Sequence, residues 1–265
     1  MKKIVCLFSA VLMLTACSND NDDSNPKTSV LPKTIELTNS AHPSENKIST
    51  ITYDGNKIVS IANQTGKTEF TYKGNQIVQK VDYYISKNDT VKYGETSYTY
   101  VNGKLETVNK ISNGNVSRDV YTYNSDGTVN KEMYSTNKTT GVETKSTENV
   151  TLSFVNSNLV KAVAVNGMYT TTTDYSYDTN NNVFRNIYGI GLLLDQKLAL
   201  SVGDNIFSSV NNIEKSTVSV ALNSNLVNIP SVYTSTYDYN ADGFPTKKTT
   251  YNFDGTINEV FNYNF

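Results

Sequence analysis

From residue 48 onward the chain alternates apolar and polar positions with a period of two, the spacing of a β-strand with one buried face. The recurring unit is a pair of aromatic or apolar residues one apart, then a turn with Gly or Asn, then an apolar residue. It reads Ile51-Thr52-Tyr53-Asp54-Gly55-Asn56-Lys57-Ile58, then Phe70-Thr71-Tyr72-Lys73-Gly74-Asn75-Gln76-Ile77. Further copies begin at Tyr98 and Tyr121, weaker ones at Leu152 and Tyr175, and two clear ones close the chain at Tyr237 and Tyr251. These are about eight units spaced roughly 20–30 residues apart, a repeat signature. Residues i and i+2 share a strand face, so Tyr98 with Tyr100 and Tyr121 with Tyr123 point one way while Thr99 and Thr122 point the other. Asp-Gly and Asn-Gly supply the positive φ angles of tight hairpin turns. The expected fold is all-β: an antiparallel meander of repeated hairpins over residues 48–265, forming a barrel or a strongly curled sheet. Its aromatic rows should stack across strands on one face, with the phenol hydroxyls near the rim of the core.

The rhythm breaks between Val183 and Pro230, an irregular insert at about 184–230. It contains Gly189-Ile190-Gly191-Leu192-Leu193-Leu194-Asp195-Gln196-Lys197-Leu198-Ala199-Leu200, the most apolar stretch after the first seventeen residues. Its composition suits a short helix or a buried strand, and periodicity does not choose between them. Core filling at one end of the sheet is the expected role, with a plug, lid or pocket wall as the functional alternative.

The N-terminus carries a different signal. Lys2 and Lys3 precede an apolar run, Ile4 to Leu14, of signal-peptide length and too short to span a bilayer. The run ends in Leu14-Thr15-Ala16-Cys17, which resembles the bacterial lipobox, so residues 1–17 read as a lipoprotein signal peptide. Cys17 would be acylated (palmitate among its chains), giving firm membrane attachment. Cys6 would leave with the leader, so no disulfide is expected. Residues 18–47 read as a flexible acidic, Pro-containing tether. Its cluster Asp20, Asp22 and Asp23 resembles the export signal that carries lipoproteins of the Bacteroidota to the cell surface. The expected location is therefore the outer membrane, lipid-anchored and facing the exterior.

Composition narrows the chemistry. Tyr at 19 outnumbers Phe at 9, and Trp is absent. A formal charge of −2 with 18% charged residues leaves no basic surplus for nucleic acid. The single His, His42, lies in the tether, so a Ser-His-Asp or Cys-His site has no positioned base and no zinc cluster is available. No cofactor is expected, and the chain is not expected to be an enzyme. Asp54, Asp126, Asp242 and Asp254 fall where Asp serves turn backbones. Asp89-Thr90-Val91 matches the short Asp-Ser/Thr-apolar pattern of Bacteroidota O-glycosylation, making Thr90 a candidate modification site, expected exposed in a long connection near Lys87–Lys92.

The Tyr-x-Tyr hairpins resemble the YD repeats of Rhs-type proteins, whose shells need longer chains. Over residues 48–265 the chain is more similar to a Bacteroidota outer-membrane lipoprotein family of unknown function with a porin-like fold. That resemblance rests on the hairpins, on Asn182-Val183-Phe184-Arg185-Asn186-Ile187 and on Asp242-Gly243-Phe244-Pro245-Thr246-Lys247. It implies an antiparallel barrel or curled sheet and names no activity.

Four functions compete. A surface-tethered, non-catalytic binding or structural module, engaging a glycan or an envelope or host protein, leads. An integral outer-membrane barrel would use the closing Phe261-Asn262-Tyr263-Asn264-Phe265 as its terminal strand. A polysaccharide hydrolase would need two carboxylates about 5–10 Å apart in one concavity. A lipid carrier would need an apolar cavity near Leu192–Leu200.

Overall fold

The computed structural model describes residues 30–87, 89–198 and 208–265. Its strands are β1 (Thr34–Thr38), β2 (Lys47–Asp54), β3 (Lys57–Ala62), β4 (Gly66–Lys73), β5 (Gln76–Ser86) and β6 (Asp89–Val101). β7 (Lys104–Ser112), β8 (Asn115–Tyr123), β9 (Val129–Thr136), β10 (Glu143–Val155), β11 (Asn158–Asn166) and β12 (Tyr169–Tyr177) follow. The chain ends with β13 (Ile213–Leu222), β14 (Asn225–Leu226), β15 (Ser231–Tyr239), β16 (Pro245–Tyr251) and β17 (Ile257–Asn264). Every pairing is antiparallel and, apart from β1 with β17, joins strands that follow one another along the chain, with the two-residue β14 a flap on β13. β1 closes the ring: Leu37 stands opposite Lys47 of β2 on one side and Phe261 of β17 on the other. The result is a closed sixteen-stranded barrel, as the meander predicts, with no sheet edge left open.

Two expected boundaries move. The tether does not run to residue 47, because Thr34–Thr38 is a barrel strand that turns Ile35 and Leu37 inward. Two apolar positions in five residues, between Pro32 and Pro43, are too short a pattern to read as a strand without its partners. The insert occupies 178–212 rather than 184–230, since β13 is a full strand whose Ser, Thr and Val residues lack the aromatic pair that marks the other repeats. Its helical content in the described residues is one 3-10 turn, Ile190–Leu192.

The paired aromatics of the repeats face the lumen, except in the last copy, where Phe253 lies exposed in a turn. Tyr98 and Tyr121 are each 4% exposed, while Thr99 and Thr122 between the paired tyrosines lie outside and exposed. In most hairpins the ladder slips by one residue just past the turn, for example between Thr99 and Tyr100, leaving Glu106 as the extra residue of β7. A bulge of this kind interrupts the ladder, so nearby backbone groups need other partners. The next tyrosine along the barrel provides one. Tyr100 donates to the Ile77 carbonyl at 2.8 Å, Tyr123 to Leu105 at 3.1 Å, Tyr177 to Leu159 at 2.7 Å and Tyr237 to Ile213 at 2.8 Å. Each accepting residue immediately precedes the extra one where its hairpin slips. The hydroxyls therefore stitch unit to unit instead of resting at a wet rim, which explains why Tyr outnumbers Phe. Tyr100→Phe should lower stability by about 1–3 kcal/mol, the usual result of orphaning a buried carbonyl, as read by chemical denaturation.

The outward face is polar along the middle of the strands. Glu69, Glu95, Arg118, Glu132, Lys161 and Asp174 sit mid-strand beside inward-facing neighbours. Several pair laterally: Arg118 with Glu143 at 2.6 Å, Lys145 with Glu132 at 2.6 Å, and Lys161 with Asp174 at 3.4 Å. Phe261 and Tyr263 of the closing segment are 2% and 5% exposed inside the barrel, and Asn262 and Asn264 alternate with them on the outer side.

Candidate functional site

The insert enters the lumen and closes one end. Val183, Phe184, Ile187, Ile190, Leu193, Leu194 and Leu198 are buried among the barrel's own Ile58, Ile77 and Leu105. Full burial of such side chains contributes about 1.5–3 kcal/mol each, so apolar packing holds the plug. Asparagines shape it. Asn182 Oδ1 accepts from the Phe184 N–H at 2.9 Å, while Asn158 Oδ1 accepts from the Val210 and Asn211 N–H groups at 3.0 and 3.1 Å. Asn186 Nδ2 donates to the Val30 carbonyl at 3.0 Å, so the entering chain passes against the plug. Gly189 is required twice over. Its φ is +78°, and a Cβ there would lie 2.7 Å from the Asn75 carbonyl oxygen of the β4–β5 turn.

Beneath the apolar part the plug grips a ladder of interior charges. Asp195 forms an ion pair with Lys131, and its other oxygen accepts the Tyr121 hydroxyl at 2.6 Å. Gln196 donates to Tyr121 and, at 3.2 Å, to Asp119, which Lys110 meets at 2.7 Å. Farther round, Thr68 and Lys80 flank Asp82 at 2.7 and 3.7 Å, and the Lys80 ammonium reaches the Lys197 and Leu198 carbonyls at 3.4 Å. Three lysines thus face three aspartates, so this ladder is balanced in charge. Burial pushes the Asp195 carboxyl up, but the Lys131 charge and the hydrogen bonds from Lys131 and Tyr121 outweigh it and hold it below the usual carboxylate range. Burial also drives the Lys80 ammonium down, with Asp82 pulling back.

The other end of the lumen holds a cavity of about 760 Å³. Its mouth is formed by the β1–β2 and β3–β4 connections and the ends of β16 and β17. Deeper in, the walls carry Tyr175, Tyr233, Lys248, Glu259 and Phe261. The Lys248 ammonium lies 5.5 Å from the Phe261 ring centre. Burial lowers its pKa to about 8, opposed by the charge of Glu259.

The residues singled out from sequence are scattered. Cys17, the leader and the acidic cluster lie outside the described residues. Thr90 is exposed at the start of β6, opposite Ile85, with its N–H on Asp89 Oδ1 at 2.8 Å. It sits at a tight hairpin end, not in a long connection. His42 is exposed in the β1–β2 connection. Asp126 and Asp254 do serve turns, accepting from the N–H and hydroxyl of Thr128 and of Thr256. Alternation could have suggested Lys110, Lys131 and Asp119, each two residues from a core position on its strand, but only closure of the barrel brings the charges together. Among the described residues no group of three His, Cys, Asp or Glu side chains is arranged to hold a metal ion. None of their helices is long and apolar enough to cross a membrane, which leaves crossing by strands open.

No protein-family model matches the chain. No curated protein matches it either. Among solved structures, a porin-like protein from Bacteroides vulgatus aligns over 89% of this chain and 99% of its own, at 13% identity and a TM-score of 0.53. A porin-like protein from Bacteroides uniformis aligns over 88% and 97%, at 13% identity and a TM-score of 0.47. At that identity the first likeness concerns the fold alone: this chain shares the closed β-barrel of that protein.

Proposed function

We propose that this chain is an outer-membrane lipoprotein whose barrel stands in water, tethered through Cys17, plugged at one end and open at the other to a small ligand. In this reading it is a non-catalytic binding module facing the cell exterior, with no nucleic-acid partner. The observation that carries it is the outward face. A membrane barrel presents an apolar band about 25 Å tall, and a Lys or Arg at the bilayer midplane costs about 2–4 kcal/mol. Here Arg118, Lys161, Glu69, Glu132 and Asp174 occupy mid-strand outward positions among exposed apolar residues such as Ile111, Val116 and Val165, while the buried apolar and aromatic cluster fills the lumen. The Asp82, Asp119 and Asp195 carboxylates are each engaged by a lysine, which speaks against a free catalytic pair.

A second reading, an integral outer-membrane barrel, draws support from the sixteen strands and from the porin-like name of the Bacteroides vulgatus neighbour. One preparation separates the two. A chain lacking residues 1–25 should be folded and monomeric in detergent-free buffer by size-exclusion chromatography and circular dichroism. A requirement for detergent would overturn the water-facing barrel. Intact mass of the full-length protein from membranes should show acyl chains on Cys17, and a bare Cys17 would overturn the tether.

A further inference from the structure

We infer that the open half of the lumen is a binding site for a neutral carbohydrate of about one to three sugar rings, a deepening that rests on the binding-module reading above. The cavity's chemistry selects this class by elimination. Of its 21 lining residues, ten bear a hydroxyl or amide on an otherwise uncharged, non-aromatic side chain, four are aromatic and only three are aliphatic. A fatty chain needs a continuous aliphatic wall, which three separated side chains do not make. An anion needs a cationic surplus, yet the lining lysines, Lys47 and Lys248, are matched by Glu45 and Glu259. What remains is a site of separate ring faces set among short polar groups. A sugar is complementary to both, because its C–H faces stack on aromatic rings while its hydroxyls bridge paired donors and acceptors.

The arrangement within the cavity follows that logic. Tyr175, on β12, stands across the ladder from Ser216 of β13, and Ser216 from Tyr233 of β15, so two rings flank a serine on one wall. Tyr233 is 46% exposed, so its ring face is not used by the core. On the adjoining wall Lys248 of β16 lies opposite Phe261 of β17, and Thr250 opposite Glu259. An ammonium, a carboxylate and a hydroxyl therefore share one patch beside an aromatic ring. The plug closes the far end, so a ligand entering at the mouth stops in the lumen. A cavity of about 760 Å³ falls in the range of small-ligand sites.

Saturation-transfer difference NMR on the full-length protein tests this, with glucose, galactose, mannose, N-acetylglucosamine, xylose and cellobiose as probes beside decanoate and citrate. The expected result is transfer to the ring protons of at least one sugar. Ser216→Trp, which fills the cavity, should abolish it. Tyr233→Ala, at an exposed ring that folding does not need, should weaken the dissociation constant about fivefold to tenfold. Unchanged circular dichroism in both variants separates site loss from misfolding. Transfer to decanoate or citrate but to no sugar, still abolished by Ser216→Trp, would overturn the carbohydrate assignment and leave the binding module standing. No transfer to any probe, or sugar transfer untouched by both variants, would overturn the site itself.

Discussion

Raising the pH from 10 to 11 should unfold this barrel in one cooperative step. Burial is the leading cause that pushes the Tyr72 and Tyr177 hydroxyls up to about 12 and those of Tyr53, Tyr98, Tyr121, Tyr237 and Tyr263 higher still. In the unfolded chain a tyrosine ionises near pH 10. Above that pH the native state holds protons the unfolded state has released, so stability falls as pH rises. The six most buried of these rings (all but Tyr72) each lose about 1.4 kcal/mol per pH unit, on the order of 8 kcal/mol by pH 11. That is comparable with the whole stability of an ordinary domain. Lys248 acts in the opposite sense from about pH 8 to its unfolded value, because there the unfolded chain binds the extra proton, but one lysine does not offset six tyrosines. Tyrosinate absorbance and loss of the β signal in circular dichroism should rise together with a midpoint between pH 10 and 11. Gradual tyrosinate formation with the β signal intact would mean that solvent reaches the rings and that the lumen is not packed.

Asp195→Ala should produce the largest loss from a single side chain, about 3–5 kcal/mol. The residue joins the plug to both Lys131 and Tyr121 of the wall, and removing it leaves a buried ammonium without its counter-charge. Replacing both partners, as Lys131→Met with Asp195→Leu, should restore most of the loss, because an apolar pair of similar volume avoids desolvating either charge. The pH dependence has a stated sign. Since the folded carboxyl is held below its unfolded value near 4, the pair's contribution is present above that value and is lost as pH falls through the folded one. Urea denaturation of the wild type and the two variants, at pH 7 and in acid, measures both effects. A cost below 1 kcal/mol for Asp195→Ala at pH 7 would show that apolar packing alone seats the plug.

The hairpin units were legible because period-two alternation and Asp-Gly or Asn-Gly turns act over a few residues. Ile51 to Ile58 carries strand, turn and strand within eight positions. The shorter signals were not legible. Thr34–Thr38 has two inward residues and becomes a strand only because β2 and β17 leave a gap that it fills. The Ser-, Thr- and Val-rich β13 lacked the aromatic pair and merged with the insert in the one-dimensional pattern. The candidate site was least visible of all. Lys248, Glu259, Tyr175 and Tyr233 belong to four different strands, and nothing local distinguishes them from other inward positions.

The amino-acid sequence alone determined the all-β class, the antiparallel succession and the sharing of one face by the aromatic pairs, since strand period and turn conformation are properties of neighbouring residues. Only the tertiary structure decided that the sheet closes, that this face turns inward, that the apolar insert stops one end of the lumen and that three lysines meet three aspartates inside. Alternation is symmetric with respect to inside and outside, and closure depends on the first strand meeting the last across some two hundred residues of chain.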